Sequence, residues 1–91
     1  VAITTGSQSL YDAMTQSQRD SADAATKSDG VYSVLIQNDS GSNIYYEGGT
    51  DATTTESYSI ASGSEFLVQH VDIKNIYFIG DSAVNVRMVF S

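Results

Sequence analysis

The pattern of apolar and polar residues changes close to residue 30 of the chain. Beyond this point, the segments 31–37 (VYSVLIQ) and 84–90 (VNVRMVF) alternate apolar with polar residues. A period of two is typical of a β-strand with one buried face. Short runs of Ile, Tyr, Phe and Val lie between these segments, separated by Gly, Ser, Asn and Asp. The pattern predicts an all-β fold, a small antiparallel β-sandwich or barrel of jelly-roll-like type.

The alternation also predicts which side chains are buried. One face of the first segment carries Tyr32, Val34 and Ile36, and one face of the last carries Val84, Val86, Met88 and Phe90. The opposite faces are not wholly polar, because they hold Val31, Leu35 and Val89. These three residues need not fit inside one small sandwich. A core of about sixty residues is marginal, and the chain has no Cys that could stabilise it through a disulfide. Since association is the remaining common stabiliser, the chain is expected to form a homo-oligomer.

Residues 1–28 lack this alternation and are rich in Ser, Thr, Ala, Gln and Asp. In 16–29, Ala is the only apolar residue type, so nothing there would hold a helix against a core. A solvated tether explains the same composition. The chain is therefore predicted to consist of an N-terminal arm, residues 1–28, extended or partly helical, and a compact β domain, residues 29–91.

The first half of the arm has the features of a short helix. Ser9 is a candidate N-cap, and Asp12 can reach back towards the cap. Two interpretations of the arm remain open: it becomes ordered on a partner through its apolar residues, or it is a frayed terminus. The contact residues of the first interpretation are Ile3, Leu10, Tyr11 and Met14.

The charge of the chain argues against two classes of partner. Four Lys and Arg residues stand against eleven Asp and Glu residues, a net charge of -7. Because nucleic acids and anionic membranes both bind through Lys and Arg, neither is expected as a partner. The acidity also has a plain explanation, which is solubility. No apolar stretch approaches the length of a transmembrane helix, and no signal peptide is evident, so synthesis in the cytoplasm is expected.

Candidate catalytic and metal-binding residues are few. His70 is the sole histidine, and Asp72 lies near it, but no nucleophile in a recognisable setting accompanies them. The segment 38–43 (NDSGSN) offers oxygen ligands, yet it lacks the closing Glu of a calcium loop, and an Asx-rich turn explains it equally. We therefore predict no enzymatic activity, no catalytic residue, no metal site and no cofactor.

Tyrosines are the best candidates for an interaction surface. Tyr45, Tyr46, Tyr58 and Tyr77 can stack on sugars or on a protein partner, although some of them must fill the core. Since neighbouring residues of a strand point to opposite faces, Tyr45 and Tyr46 cannot both be buried inside one sandwich. At least one of the two is expected at an exposed or interfacial position.

Strand and turn motifs between residues 31 and 91 carry a resemblance to a known group of proteins. They are Ile36–Ser40, Ile44-Tyr45, Gly48-Gly49, Thr53-Thr54, Ile60–Phe66, Ile73–Ile79 and Val84–Arg87. With these motifs the chain resembles small virion proteins of tailed bacteriophages.

This resemblance implies a function on the capsid exterior. Such proteins often act as decoration or cement proteins, are commonly trimeric, and lay an N-terminal arm on the shell or on a neighbouring subunit. The resemblance implies the major capsid protein as partner, a homotrimer as the favoured oligomer, and contacts through the arm. Together with the strand argument for Tyr45 and Tyr46, the predicted capsid or subunit contacts are Ile3, Leu10, Tyr11, Met14, Tyr45 and Tyr46. The expected location is the virion. The alternative is a carbohydrate-binding or fibre-like module of the same virion.

Overall fold

Two antiparallel sheets form the body of the protein. The computed structural model describes residues 1–25 and 31–90, without the side chains of residues 23–25, 31, 32, 70 and 71. Strands make up 46% and helices 14% of the structure. The strands are β1 Ala2–Ile3, β2 Gln8–Ser9, β3 Val31–Asn38, β4 Ile44–Gly48, β5 Tyr58–Ile60, β6 Ser64–Asp72, β7 Ile76–Gly80, β8 Val84–Asn85 and β9 Arg87–Phe90. The helices are α1 Leu10–Ala13 and α2 Gln16–Ala25.

The sheets are arranged as a sandwich. One sheet has four strands in the order β2-β7-β4-β5, and the other has three in the order β6-β3-β9. A short ladder between β1 and β8 stands beside them. All strand pairs of the described residues are antiparallel, and these sheets do not close into a barrel. The predicted small antiparallel β-sandwich is therefore confirmed. The alternative, a closed barrel, is not what this part of the chain forms.

The core lies between the inner faces of the two sheets. Val34 and Ile36 of β3 face Ile44 of β4 and Phe78 of β7 in one buried cluster, and each of these side chains is at most 1% exposed. The predicted inner face of 31–37 is confirmed at Val34 and Ile36, while the side chain of Tyr32 lies outside the described ones. Burial of such side chains is the main favourable term in the folding of a small domain.

The N-terminal segment is part of this core, which corrects the prediction of a separate arm. Ile3, Leu10 and Met14 all belong to the buried cluster. The backbone of the segment is paired as well, because β2 joins the four-stranded sheet through β7 and β1 pairs with β8 in the short ladder. Residues 1–25 thus cover one side of the sandwich. The predicted boundary between residues 28 and 29 lies outside the described residues.

The two helices follow from local capping signals. The hydroxyl of Ser9 accepts a hydrogen bond from the backbone N–H of Asp12 at 3.1 Å, so the predicted N-cap of α1 is confirmed. Before α2, the Thr15 hydroxyl accepts from the N–H of Gln18 at 3.2 Å, while the Gln18 side chain accepts from the N–H of Thr15 at 2.9 Å. This reciprocal capping box explains why a helix begins in a polar segment. Neither helix is long and apolar enough to cross a membrane in the described part of the chain.

Candidate functional site

A row of aromatic rings runs across the four-stranded sheet from its edge towards the core. Tyr46 of β4 is paired with Tyr58 of β5 on one side and with Phe78 of β7 on the other. The rings of Tyr46 and Tyr58 stack with centroids 5.5 Å apart and planes 25° apart. Phe78 is buried, Tyr46 is half-buried, and Tyr58 is 70% exposed.

The facing sheet adds a further ring to this row. Phe66 of β6 is paired with the buried Ile36, so its side chain lies on the inner face of its sheet. Its ring centroid is 5.5 Å from that of Tyr46, yet 41% of the residue remains exposed. Because β5 and β6 are edge strands of the two sheets, Tyr58 and Phe66 meet at an open side of the sandwich. We refer to Tyr46, Tyr58 and Phe66 as the aromatic patch.

The geometry of the aromatic patch favours binding of a partner. Offset or tilted ring pairs contribute about 0.5–1.5 kcal/mol beyond the area that they bury, so the rings hold each other in place before any partner arrives. Large exposed aromatic side chains are enriched at protein interfaces relative to the rest of a surface. The patch therefore offers rigid apolar area that a single isolated domain leaves in contact with water.

The hydroxyl of Tyr46 keeps its proton at physiological pH. Partial burial raises the pKa of Tyr46 above its usual value of 10.0, and the proximity of Tyr58 and Glu47 adds to this increase. The charged form is disfavoured in such surroundings because a phenolate loses hydration and meets further negative charge. Tyr46 can thus donate a hydrogen bond to a partner without adding charge to an acidic surface.

A shallow cleft adjoins the aromatic patch. Its volume is about 420 Å³, and Tyr46 forms part of its wall together with Gly48, Gly49, Val68, Asp72, Asn75 and Ile76. The Asp72 carboxylate accepts a hydrogen bond from the backbone N–H of Lys74 at 2.9 Å, which fixes the carboxylate at the rim. The residues that line the cleft thus include one aromatic, one acidic and one amide residue.

The structure separates the site residues that the sequence grouped together. Ile3, Leu10 and Met14 are between 0% and 4% exposed, and they hold the chain's own core. The prediction that they contact a capsid or another subunit is therefore wrong for the folded chain. The sequence suggested an arm because these apolar residues are widely spaced and show no period.

Tyr11 has a different environment from these three residues. Its half-buried ring lies under the Arg19 guanidinium at 4.4 Å and near the Lys74 ammonium at 4.9 Å. Its backbone N–H donates to the carbonyl of Ile73 at 2.9 Å. Two cations on one ring fasten α1 and α2 to the loop after β6. Tyr11 thus serves the fold, and a contact with a partner through its ring stays a prediction.

Tyr45 and Tyr46 point to opposite faces of β4, as predicted. Tyr46 belongs to the aromatic patch, whereas the hydroxyl of Tyr45 donates to the Asp81 carboxylate at 3.1 Å on the other face. Of the predicted contact residues, Tyr46 is the one that lies in the aromatic patch. Tyr58, which joins it there, was among the four tyrosine candidates but not among the predicted capsid contacts, and Phe66 was in neither group.

The segment 38–43 forms a closed turn rather than an open set of oxygen ligands. Asn38 is 1% exposed, and its amide donates to the carbonyl of Ser42 at 2.9 Å and to the carbonyl of Ile60 at 2.8 Å. Its side-chain oxygen accepts from the Ser40 hydroxyl at 2.7 Å. Among the described residues, no group of three or more His, Cys, Asp and Glu side chains could hold a metal ion.

His70 lies in β6 where the pairing with β3 shifts register, between Tyr32 and Val34. The irregularity places one more residue on β6 than on β3, as in a β-bulge. The side chain of His70 is outside the described ones. The prediction that it is not catalytic therefore stays a prediction.

A second exposed surface lies on the outer face of the three-stranded sheet. Leu35 of β3 is paired with Leu67 of β6 and with Val89 of β9, and Leu67 and Val89 are 51% and 58% exposed. We refer to these three side chains as the outer apolar row. Leu35 and Val89 were singled out from the sequence, whereas Leu67 was missed, although its alternation with Phe66 indicates the same face.

Comparison with known proteins gives no family model, no curated protein and no solved structure that matches this chain. The function must accordingly be argued from the two exposed surfaces and from the motifs of residues 31–91.

Proposed function

We propose that this protein is a structural virion protein that binds the outside of a tailed-bacteriophage capsid and stabilises it, as a decoration or cement protein. The observation that carries the proposal is the aromatic patch, formed by Tyr46, Tyr58 and Phe66 at the open side of the sandwich. The resemblance of residues 31–91 to small phage virion proteins supports it. The partner is the major capsid protein, and the location is the capsid exterior.

The aromatic patch is suited to a contact with a capsid. Covering Tyr58 and Phe66 would remove large apolar area from water, at roughly 1.5–3 kcal/mol for each side chain before the costs of association. Stacking against Tyr46 already restricts both rings, so little side-chain freedom is lost on binding. A capsid offers many equivalent positions, and linked copies can turn weak single contacts into stable attachment.

This proposal moves the attachment site away from the N-terminal segment. Ile3, Leu10 and Met14 are buried in the core. If they left the core to contact a shell, the fold would lose the stability that their burial provides. The aromatic patch needs no such rearrangement. Attachment can therefore occur with the fold intact, as in most complexes of pre-organised partners.

Capsid binding by matched variants tests the proposal. Tyr58→Ser removes the most exposed ring of the patch, and the double variant Tyr58→Ser with Phe66→Ser removes both exposed rings. We expect capsids of its phage to retain the single variant about tenfold less well and the double variant hardly at all. The matched control is Tyr45→Ser, which removes a ring from the opposite face of β4.

Circular dichroism of each variant separates loss of binding from loss of fold. The proposal requires that the Tyr58 variant keeps its β spectrum and loses attachment, while the Tyr45 variant keeps both. If the folded double variant bound capsids as well as the wild-type chain does, attachment through the aromatic patch would be refuted. Absence of any attachment by the wild-type chain would refute the decoration function itself.

Carbohydrate binding is the second candidate, because a cleft adjoins the patch. The wall of the cleft of about 420 Å³ includes Tyr46, Asp72 and Asn75. Sugars are held by this combination, with an aromatic ring on an apolar face and polar groups on the hydroxyls. A glycan array distinguishes the candidates: selective binding that Asp72→Ala abolishes supports a lectin-like module, and an array without signal argues against it.

A further inference from the structure

We propose that two copies of this chain associate face to face through the outer face of the three-stranded sheet, about a twofold axis parallel to β3. The proposal uses a different surface from the aromatic patch and does not depend on the proposed function. Its starting observation is the outer apolar row of Leu35, Leu67 and Val89. Three neighbouring apolar side chains on the outer face of a small acidic domain form a candidate interaction surface.

A row of charged and polar side chains flanks the outer apolar row. Gln37 of β3 is paired with Glu65 of β6 and with Arg87 of β9, two residues along from the apolar row. Gln37, Glu65 and Arg87 share the outer face with Leu35, because residues two apart in a strand point the same way. The Gln37 amide donates to the Glu65 carboxylate at 2.8 Å, which holds the carboxylate on this face.

The order of charges across the sheet selects a second copy as the occupant. Glu65 lies on one outer strand of the sheet and Arg87 on the other, with Gln37 between them. A twofold axis parallel to the central strand exchanges the outer strands of the two copies. Each Glu65 then faces the Arg87 of the other copy, and each Leu67 faces Val89. The face is thus complementary to itself, as the isologous interface of a twofold dimer requires.

The surroundings of β9 also match the opposite edge of the sheet. A cleft of about 600 Å³ runs beside β9, and its wall includes Arg87 and Val89 together with Ser17, Gln18 and Ser21 of α2. In the twofold arrangement, the β6 edge of the other copy lies over β9 and enters this cleft. Glu65 and Leu67 lie on that edge strand and are exposed.

The size of the face predicts a weak dimer. Neighbouring strands lie about 4.8 Å apart, so the three strands span only about 10 Å between their outer axes. Standard stable interfaces bury about 800 Å² on each partner, which is more than this face offers. Association should therefore depend on concentration, and the exposed charge pairs should set the orientation more than the affinity. The resemblance to phage proteins favours a trimer, but a self-complementary face favours an even-numbered assembly.

Sedimentation equilibrium of charge-reversal variants tests the dimer. The wild-type chain should convert from 9.7 kDa monomers to dimers as its concentration rises. Glu65→Arg alone, or Arg87→Glu alone, turns two attractive pairs into repulsive ones, and we expect about tenfold weaker association. The double variant, with Glu65→Arg and Arg87→Glu, restores opposite charges across the axis and should recover the wild-type constant. Leu67→Asp should abolish association.

Glu56→Arg is the matched control, because Glu56 is exposed in the turn before β5 and away from the outer face. It makes the same change in net charge as Glu65→Arg and should leave association unchanged. The twofold pairing is supported if each single variant associates more weakly than the wild type and the double variant recovers the wild-type association constant. A wild-type monomer at all concentrations, a wild-type trimer, or a double variant as weak as the single ones would overturn it.

Discussion

The buried side-chain amide of Asn38 donates a hydrogen bond to the carbonyl oxygen of Ile60 at 2.8 Å. The same amide donates to the carbonyl of Ser42 within its own turn. Asn38 thereby joins the turn after β3 to the end of β5, two parts of the chain that are remote in sequence. No buried side-chain nitrogen or oxygen of the described residues lacks a hydrogen-bond partner, so this polar contact inside the sandwich is fully satisfied.

Replacing Asn38 by Ala should strongly destabilise the fold. The carbonyl of Ile60 would lose its buried donor, whereas the carbonyl of Ser42 would keep the Ser40 hydroxyl as a donor at 3.2 Å. An unsatisfied buried group costs about 1–3 kcal/mol, and loss of the Asn38 side chain also leaves a gap in the packing. We expect the free energy of unfolding to fall by roughly 2–4 kcal/mol, measured by urea denaturation. Asn43→Ala is the control, since Asn43 is exposed at the other end of the same turn. Equal urea midpoints for the two variants would contradict this role of Asn38.

Gly80→Ala should destabilise the fold for a steric reason. A Cβ at Gly80 would lie 2.6 Å from the backbone oxygen of Ser82 and 3.4 Å from Cγ2 of Ile3. Backbone cannot move aside as a flexible side chain can, so we expect a loss of about 1–3 kcal/mol in thermal or urea unfolding. Gly48→Ala is the matched control, because nothing lies within 4 Å of its Cβ position. A Gly80 variant as stable as the Gly48 variant would show that the turn relaxes freely.

The β-sandwich could be predicted from sequence because its long strands repeat a period of two. Val34 and Ile36 are buried where that period places them, and Leu35 lies on the opposite face. The strands β1 and β2 could not be found in this way, since each has two residues and shows no period. They form because they pair with β8 and β7, which are distant in sequence.

The helix α2 could have been predicted more fully. The sequence from Thr15 to Gln18 matches a capping box, a local signal that needs no tertiary information. The aromatic patch is a different case. Strand alternation separates Tyr45 from Tyr46, but the meeting of Tyr46 with Phe66 depends on how two sheets are set against each other. That arrangement arises from long-range pairing, which periodicity does not encode.

Stability should decline at alkaline pH through Tyr46. The pKa of Tyr46 is raised in the folded chain above the unfolded value of 10.0, so the folded state holds this proton more tightly. The contribution is fully present below pH 10.0 and is lost as pH rises through the folded pKa. Tyr46→Phe removes the titrating group. The unfolding free energy of the wild type should therefore fall relative to that of the variant above pH 10, and a difference that stays constant with pH would contradict this assignment.

Deleting residues 1–14 should unfold the protein, in contrast to the arm predicted from the sequence. The deletion removes Ile3, Leu10 and Met14 from the core together with both N-terminal strands. Losing a single such side chain costs about 2–5 kcal/mol, and the whole stability of a small domain is about 5–15 kcal/mol. Leu10→Ala should lower the unfolding free energy by about 2–5 kcal/mol. Thr5→Ala, at an exposed position, should change it little. The measurement is circular dichroism with urea denaturation. A truncated chain that keeps its β spectrum and unfolds cooperatively would mean that the sandwich stands without its N-terminal segment.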